Sequence, residues 1–208
     1  SSQGFNPQGS DAWRRERAGK ATASCFDKVM AKIKTGEAKT RIDYRIQLVT
    51  ERLTGVPQDG YVNADMQRGI DLEPEARMAY EAARGVVVDE VGFVDHGTIK
   101  MCGASPDGRV GDDGMVEIKC PKSTTHLVWL EGGALPPEHL AQVQGQMAVT
   151  GRAWVDFVSY DNRFPEGLQL FVVRVPRDPA YIKTIEDEVR VFLAGVDAMV
   201  ERLLKRKV

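Results

Sequence analysis

Apolar residues recur at helical spacing near both ends of the chain, and short β-type runs fill its middle. From Asp11 to about Lys34 the pattern is helical, with a break near Gly19 to Ser24, where Thr22 or Ser24 is placed to cap a second helix. A further amphipathic helix is expected from Thr40 to Leu53, ending before Gly55, and another begins near Ala64. Leu72, Ala76, Ala79, Tyr80 and Ala83 keep one helical face, and Gly85 supplies the stop. The texture then turns to Val86–Val88, Val91–Val94 and Thr98–Cys102, with His96-Gly97 as a turn between the last two. Ser105–Val110 and Met115–Cys120 flank Gly111-Asp112-Asp113-Gly114, a strong hairpin signal. A helix from about Pro137 to Thr150 precedes two more strands, Ala153–Tyr160 and Leu168–Val175. Asp178-Pro179 then opens a long C-terminal helix whose inner face is Ile182, Ile185, Val189, Phe192, Val196, Met199 and Leu203.

This order predicts an α/β (α+β) fold: a central mixed, mostly antiparallel sheet flanked by helices, with a helical N-terminal part and a long C-terminal helix. Residues 1–10 are polar, without periodicity, and read as a flexible tail before a single domain over 11–208. A chain of 208 residues with 42% hydrophobic and 28% charged residues folds around a real core and is not intrinsically disordered. No apolar run reaches the ~18 residues of a membrane-spanning helix and no apolar signal-peptide core is evident, so no membrane partner is expected. Three cysteines fit neither a zinc ribbon nor a four-cysteine cluster, and the natural setting is a reducing cytoplasm.

The net charge of −2 hides an uneven distribution. Residues 11–52 carry eleven Lys and Arg against six acids, while residues 59–117 carry thirteen acids against five bases. A basic arm beside an acidic centre suits a metal-dependent enzyme acting on a polyanion, and it equally describes two solvated surfaces. The chemistry concentrates in Ser105-Pro106-Asp107-Gly108 and Glu117-Ile118-Lys119-Cys120-Pro121. Residues two apart in a strand share a face, so Glu117 and Lys119 project together while Ile118 points away. The hairpin brings Asp107 toward that pair. Two carboxylates meeting there repel unless a divalent cation sits between them, and oxygen donors suit Mg²⁺ or Mn²⁺. The competing reading is an exposed hairpin with a Glu–Lys pair worth ~0–1 kcal/mol. Glu73 stands before Pro74, at the head of the helical run from Leu72 to Ala83. His139, Gln142 and Gln146 share one helix face, beside an apolar stripe of Leu140, Val143 and Met147.

The ordered set Ala12-Trp13, Arg17-xx-Lys20-xx-Ala23-Ser24, Gly69-xxx-Glu73-xx-Ala76-Arg77, Ser105-Pro106-Asp107-Gly108, Glu117-Ile118-Lys119-Cys120-Pro121 and Ala141-Gln142-Val143-Gln144 resembles the phage lambda exonuclease / YqaJ-like viral recombinase family. That family lies within the restriction-endonuclease-like PD-(D/E)XK nucleases. The resemblance runs from about Asp11 to Lys205 and implies Mg²⁺-dependent 5′→3′ digestion of one strand of duplex DNA. It implies that Asp107, Glu117 and the backbone carbonyl of Ile118 ligate metal, with two ions in the site. Lys119 is then expected to activate the attacking water, with Glu73 and Gln142 positioning it or completing the outer shell. Arg17, Ser24 and Ser105 match the residues that hold a 5′-terminal phosphate. A residue that wedges apart the terminal base pair is expected near Met66, and His139 stands where an aromatic side chain is expected. The resemblance further implies a homotrimeric ring threaded by DNA, a single-strand annealing partner and a phage or prophage protein in the bacterial cytoplasm. An endonuclease or junction resolvase of the same fold, and a non-catalytic DNA-end binding module, stay open as alternatives. Iron–sulfur relatives need four cysteines and are disfavoured.

Overall fold

A computed structural model describes residues 4–58 and 60–207. Its N-terminal half is helical: α1 (Asp11–Arg17), a two-residue strand β1 (Ala21–Thr22), α2 (Phe26–Met30), α3 (Lys39–Thr54) and α4 (Ala64–Arg84). Strands β2 (Val88–Asp89), β3 (Val94–Asp95), β4 (Cys102–Ala104), β5 (Gly108–Val110) and β6 (Gly114–Lys119) follow. Helices α5 (Ser123–Gly132) and α6 (Leu140–Thr150), strands β7 (Trp154–Tyr160) and β8 (Leu170–Pro176), and helix α7 (Pro179–Leu204) complete the chain.

The expected sheet is present as five strands in the order β2-β5-β6-β7-β8. Within this sheet only β6 and β7 run parallel. A parallel pair needs a long crossover, which α5 and α6 supply. The tight turn after Val110 sets the hairpin register, pairing Gly108 with Val116 and Val110 with Gly114. The pleat of β6 then sorts its side chains. Val116 and Ile118 pack on Ala76 and Tyr80 of α4, while Met115 packs on Val143 and Met147 of α6. Glu117 shares the α6 face with Met115. A third cluster joins α2, α3 and α7, including Phe26, Leu48, Ile185 and Phe192. Gly145 lets α6 press onto Phe26, since a Cβ there would lie 2.3 Å from the ring.

Several expectations are corrected. A second, three-stranded sheet (β1-β4-β3) sits beside the first, built from strands of two or three residues. Neither Thr22 nor Ser24 caps a helix through its side chain; both hydroxyls face Arg17 instead. Helix α4 is continuous from Ala64 to Arg84 with Pro74 inside it, so Glu73 lies mid-helix rather than at a helix head. Helix α5 was not expected at all. Leu140 is exposed and does not extend the apolar stripe of α6. Of the tail, residues 1–3 lie outside the described residues. In residues 4–10, Asn6 donates to Glu16 and Gln8 donates to the carbonyls of Ser105 and Pro106. The helix ends behave as expected: Gly55 and Gly85 adopt left-handed caps, and Asp178 accepts from the Tyr181 amide. No helix among the described residues is long and apolar enough to cross a membrane.

Candidate active site

The hairpin formed by β5 and β6 delivers three charged side chains to one place. Asp107, one residue before β5, accepts a hydrogen bond from the Ile118 amide at 2.7 Å, which ties its carboxylate to the strand carrying Glu117. Glu117 and Lys119 point together as the pleat requires, with Nζ 3.2 Å from Oε1. Both acids are buried, at 9% exposure for Asp107 and 5% for Glu117. A surface Glu–Lys pair is therefore not what this hairpin carries.

Two amides from α6 hold Glu117 from the other side. Gln142 Nε2 donates to Oε1 at 3.1 Å and Gln146 Nε2 to Oε2 at 2.7 Å. Their four-residue spacing puts them one turn apart on the helix face turned to β6. Amides are suited to this task because they donate to a carboxylate without adding charge. Gln146 is 1% exposed, and its Oε1 has no hydrogen-bond partner among the described residues. The sequence placed Gln146 on this face, but only the fold shows it gripping Glu117.

Electrostatics mark the cluster as short of positive charge. Burial pushes the Asp107 carboxyl well above the usual range, and the charges of Glu117 and Glu73 push it further. Glu73 is also raised, first by burial, against the lowering pull of Arg77 at 3.2 Å. Burial disfavours the Lys119 ammonium, yet Glu117 and Asp107 outweigh it and hold its pKa above the ordinary lysine value. Among the described residues no group of three or more His, Cys, Asp or Glu is arranged to hold a metal. The donors present are the two carboxylates of Asp107 and Glu117, with the Ile118 carbonyl on the strand between Glu117 and Lys119. Buried, mutually repelling carboxylates beside one ammonium are a chemically suitable set for a hard divalent cation.

A cavity of about 200 Å³ opens over the cluster, lined by Asp107, Glu117, Lys119, Gln142 and Gln146. Trp13, Arg17, Ser24 and Ser105 line it as well. The Arg17 guanidinium stacks on the Trp13 ring at 4.1 Å and reaches the Thr22 and Ser24 hydroxyls at 3.5 and 3.4 Å. Trp13 also donates through Nε1 to the Ser105 hydroxyl at 3.0 Å, so one indole orients both groups. Trp13 was legible only as part of a motif.

Two singled-out residues do not line this cavity. Met66 is exposed near the start of α4. His139 packs its ring on Trp129 and Phe157, with centroids 5.3 and 5.2 Å away. Burial, then Lys119, lowers its pKa.

The YqaJ-like viral recombinase domain matches residues 12–153. Among solved structures, the alkaline exonuclease LHK-Exo from Laribacter hongkongensis is 47% identical over 94% of this chain and 97% of its own, with a TM-score of 0.89. LHK-Exo in complex with dAMP gives 48% identity, 93% and 96% coverage and a TM-score of 0.88. A phage-related exonuclease from Haemophilus somnus shares the fold at 16% identity, covering 88% of this chain and 96% of its own, with a TM-score of 0.69. No curated protein matches. Since the family match takes in Asp107, Glu117, Lys119, Gln142 and Gln146 and spans well over half of the sequence, the chain belongs to the YqaJ-like viral recombinase family.

Proposed function

We propose that the protein is a divalent-metal-dependent deoxyribonuclease that digests one strand of linear duplex DNA from its 5′ end, leaving 3′ single-stranded tails for annealing. The observation that carries this reading is the convergence of buried Asp107 and Glu117 with Lys119. They meet in a cavity that Arg17, Ser24 and Ser105 also line. Acids alone would repel a phosphodiester, so a binding module gains nothing from burying them. The relatives at almost half identity are described as an alkaline exonuclease, one of them holding dAMP, a deoxynucleoside monophosphate.

In this reading Asp107, Glu117 and the Ile118 carbonyl hold Mg²⁺, or Mn²⁺ in its place. When bound there, such a cation would supply Lewis-acid polarisation of the phosphoryl oxygen and would lower the pKa of water. The protein's own side chains do the positioning. Gln142 and Gln146 fix both oxygens of Glu117, and the Ile118 amide fixes Asp107. Lys119, held against Glu117, orients the attacking water and offsets charge that builds on the phosphate. Glu73, on α4, completes the acidic side of the site. Arg17 offers planar, charge-assisted donors and the two serines offer hydroxyls, a clamp suited to a terminal phosphate. The clamp and the acids line one cavity, and a strand gripped there by its 5′ phosphate would present an internal phosphodiester to Asp107 and Glu117, with mononucleotides as the expected product. The family resemblance extends the proposal to a homotrimeric ring, an annealing partner and action in a bacterial cytoplasm.

Linear duplex labelled separately at its 5′ and 3′ termini, together with covalently closed circular duplex, tests the reading in Mg²⁺. Mononucleotide release from the 5′ labels with an intact circle is expected. Nicking of the circle would favour an endonuclease or resolvase, and metal-independent binding without cleavage would favour an end-binding module.

A further inference from the structure

Residues 4–10 precede the family-matched segment, yet they are built into the wall of the site. Gln8 bridges the carbonyls of Ser105 and Pro106 at 3.1 and 2.9 Å, immediately before Asp107. Asn6 is anchored to Glu16 at 2.8 Å, and the Ser10 hydroxyl donates to the Pro7 carbonyl at 2.6 Å. Phe5 and Asn6 lie so close to Gly92 that a Cβ there would meet both at 3.0 Å. This strap faces α4 across a second cavity of about 210 Å³. Its apolar walls are Phe5, Pro7, Ile70, Pro74 and Val91. Asp107 and Gln8 line both cavities, whereas Arg17 lines only the first of these two.

We infer that the strap cavity receives the base of the second nucleotide of the strand being cut, the one on the 3′ side of the scissile phosphate. The inference rests on the nuclease reading. The order of features supplies the position: phosphate clamp, then Asp107, then strap cavity. A first nucleotide spans clamp to Asp107, so the chain beyond the scissile phosphate enters the strap cavity. Charge supplies the chemistry. Glu73, Glu90 and Asp107 face the cavity, and the one cation among its described lining residues, Arg77, already pairs with Glu73 at 3.2 Å and Glu90 at 2.6 Å. A second phosphate would be repelled there. A flat, neutral heterocycle with an aromatic ring and proline faces to pack on is accepted, independently of base identity.

The test measures steady-state cleavage in Mg²⁺ of 5′-phosphorylated duplexes, intact or with an abasic second nucleotide. Wild type, Phe5→Ala, Phe5→Tyr and Ile70→Ala are compared; Ile70 is more than half exposed, so its truncation leaves folding intact. Stacking of this kind predicts a KM increase of about ten-fold for Phe5→Ala on intact DNA, and a similar increase for wild type on abasic DNA. Phe5→Ala on abasic DNA should lose nothing further, because ring and base form one interaction. Ile70→Ala should show the same non-additivity more weakly, and Phe5→Tyr should restore wild-type KM. Fully additive losses, or a wild-type KM for both truncations, would overturn the base site while leaving the nuclease standing. An inert wild type on every duplex would overturn the nuclease reading and this site with it.

Discussion

Gln146→Leu separates catalytic positioning from stability at the centre of the site. Leucine keeps most of the volume and removes the 2.7 Å hydrogen bond to Glu117 Oε2. A hydrogen bond to an ionised acceptor contributes ~1.5–3 kcal/mol. The same substitution removes Gln146 Oε1, a buried acceptor with no partner among the described residues, whose burial costs ~1–3 kcal/mol. The two effects nearly cancel in folding, so unfolding stability should change by no more than ~1 kcal/mol and Tm by ~2–4 °C. Catalysis has no such offset, because the carboxylate loses one of its two amide anchors. If the full hydrogen-bond contribution is expressed in the transition state, kcat falls ~10–150-fold at ~1.4 kcal/mol per decade. Thermal unfolding and single-turnover cleavage on one preparation give both numbers. A kcat within two-fold of wild type would refute the positioning argument. A fall in Tm large enough to account for the lost activity would refute it equally.

Arg17→Ala should slow cleavage of 5′-phosphorylated ends and spare 5′-hydroxyl ends; equal slowing on both would remove the terminal-phosphate clamp. Asp156 is 1% exposed and is held by Tyr80 at 2.6 Å and by Arg174 at 2.9 and 3.0 Å. Asp156→Ala strands the buried Tyr80 hydroxyl and should destabilise the fold by ~3 kcal/mol in a denaturant titration. Glu37 lies far from the site, and hydrogen bonding to Arg45 pulls its carboxyl down to about 2. Its folded pKa is depressed, so its stabilisation is present above the unfolded value near 4.5 and is lost as pH falls toward 2. Glu37→Gln should flatten the acid limb of the stability profile by ~1 kcal/mol, allowing for solvent screening of the partly exposed pair, and leave stability below pH 2 almost unchanged.

The parts of the molecule readable from the chain are those set by local rules. The glycine-flanked turn fixed the hairpin register, and the period-two pleat put Glu117 and Lys119 together on one face. Asp178-Pro179 and the glycine caps marked helix ends because their backbone chemistry is specific. What escaped was decided by tertiary contact. Helix α5 mixes Thr, Val and Trp, which have weak helix preference, and its start at Ser123 is instead tied to Asp161 at 2.6 Å. The three-stranded sheet uses strands too short to show alternation. The start of α4 near Ala64 was legible, and the helix runs on through Pro74 because its inner residues Ala76 and Tyr80 pack on the sheet. The strap has no periodicity to read, since its hold on the Ser105–Asp107 loop comes from one glutamine side chain ninety-seven and ninety-eight positions away from its acceptors. Gln146 was visible on the correct helix face, but its orphaned oxygen and its grip on Glu117 depend on where β6 passes.

The central claim is that Asp107 and Glu117 share a divalent cation. Anomalous diffraction from crystals of the protein equilibrated with Mn²⁺ tests it most directly. The account predicts a manganese peak between the two carboxylates, within coordination distance of the Ile118 carbonyl. A map with no peak there at millimolar Mn²⁺, or with manganese held only by other residues, would contradict it.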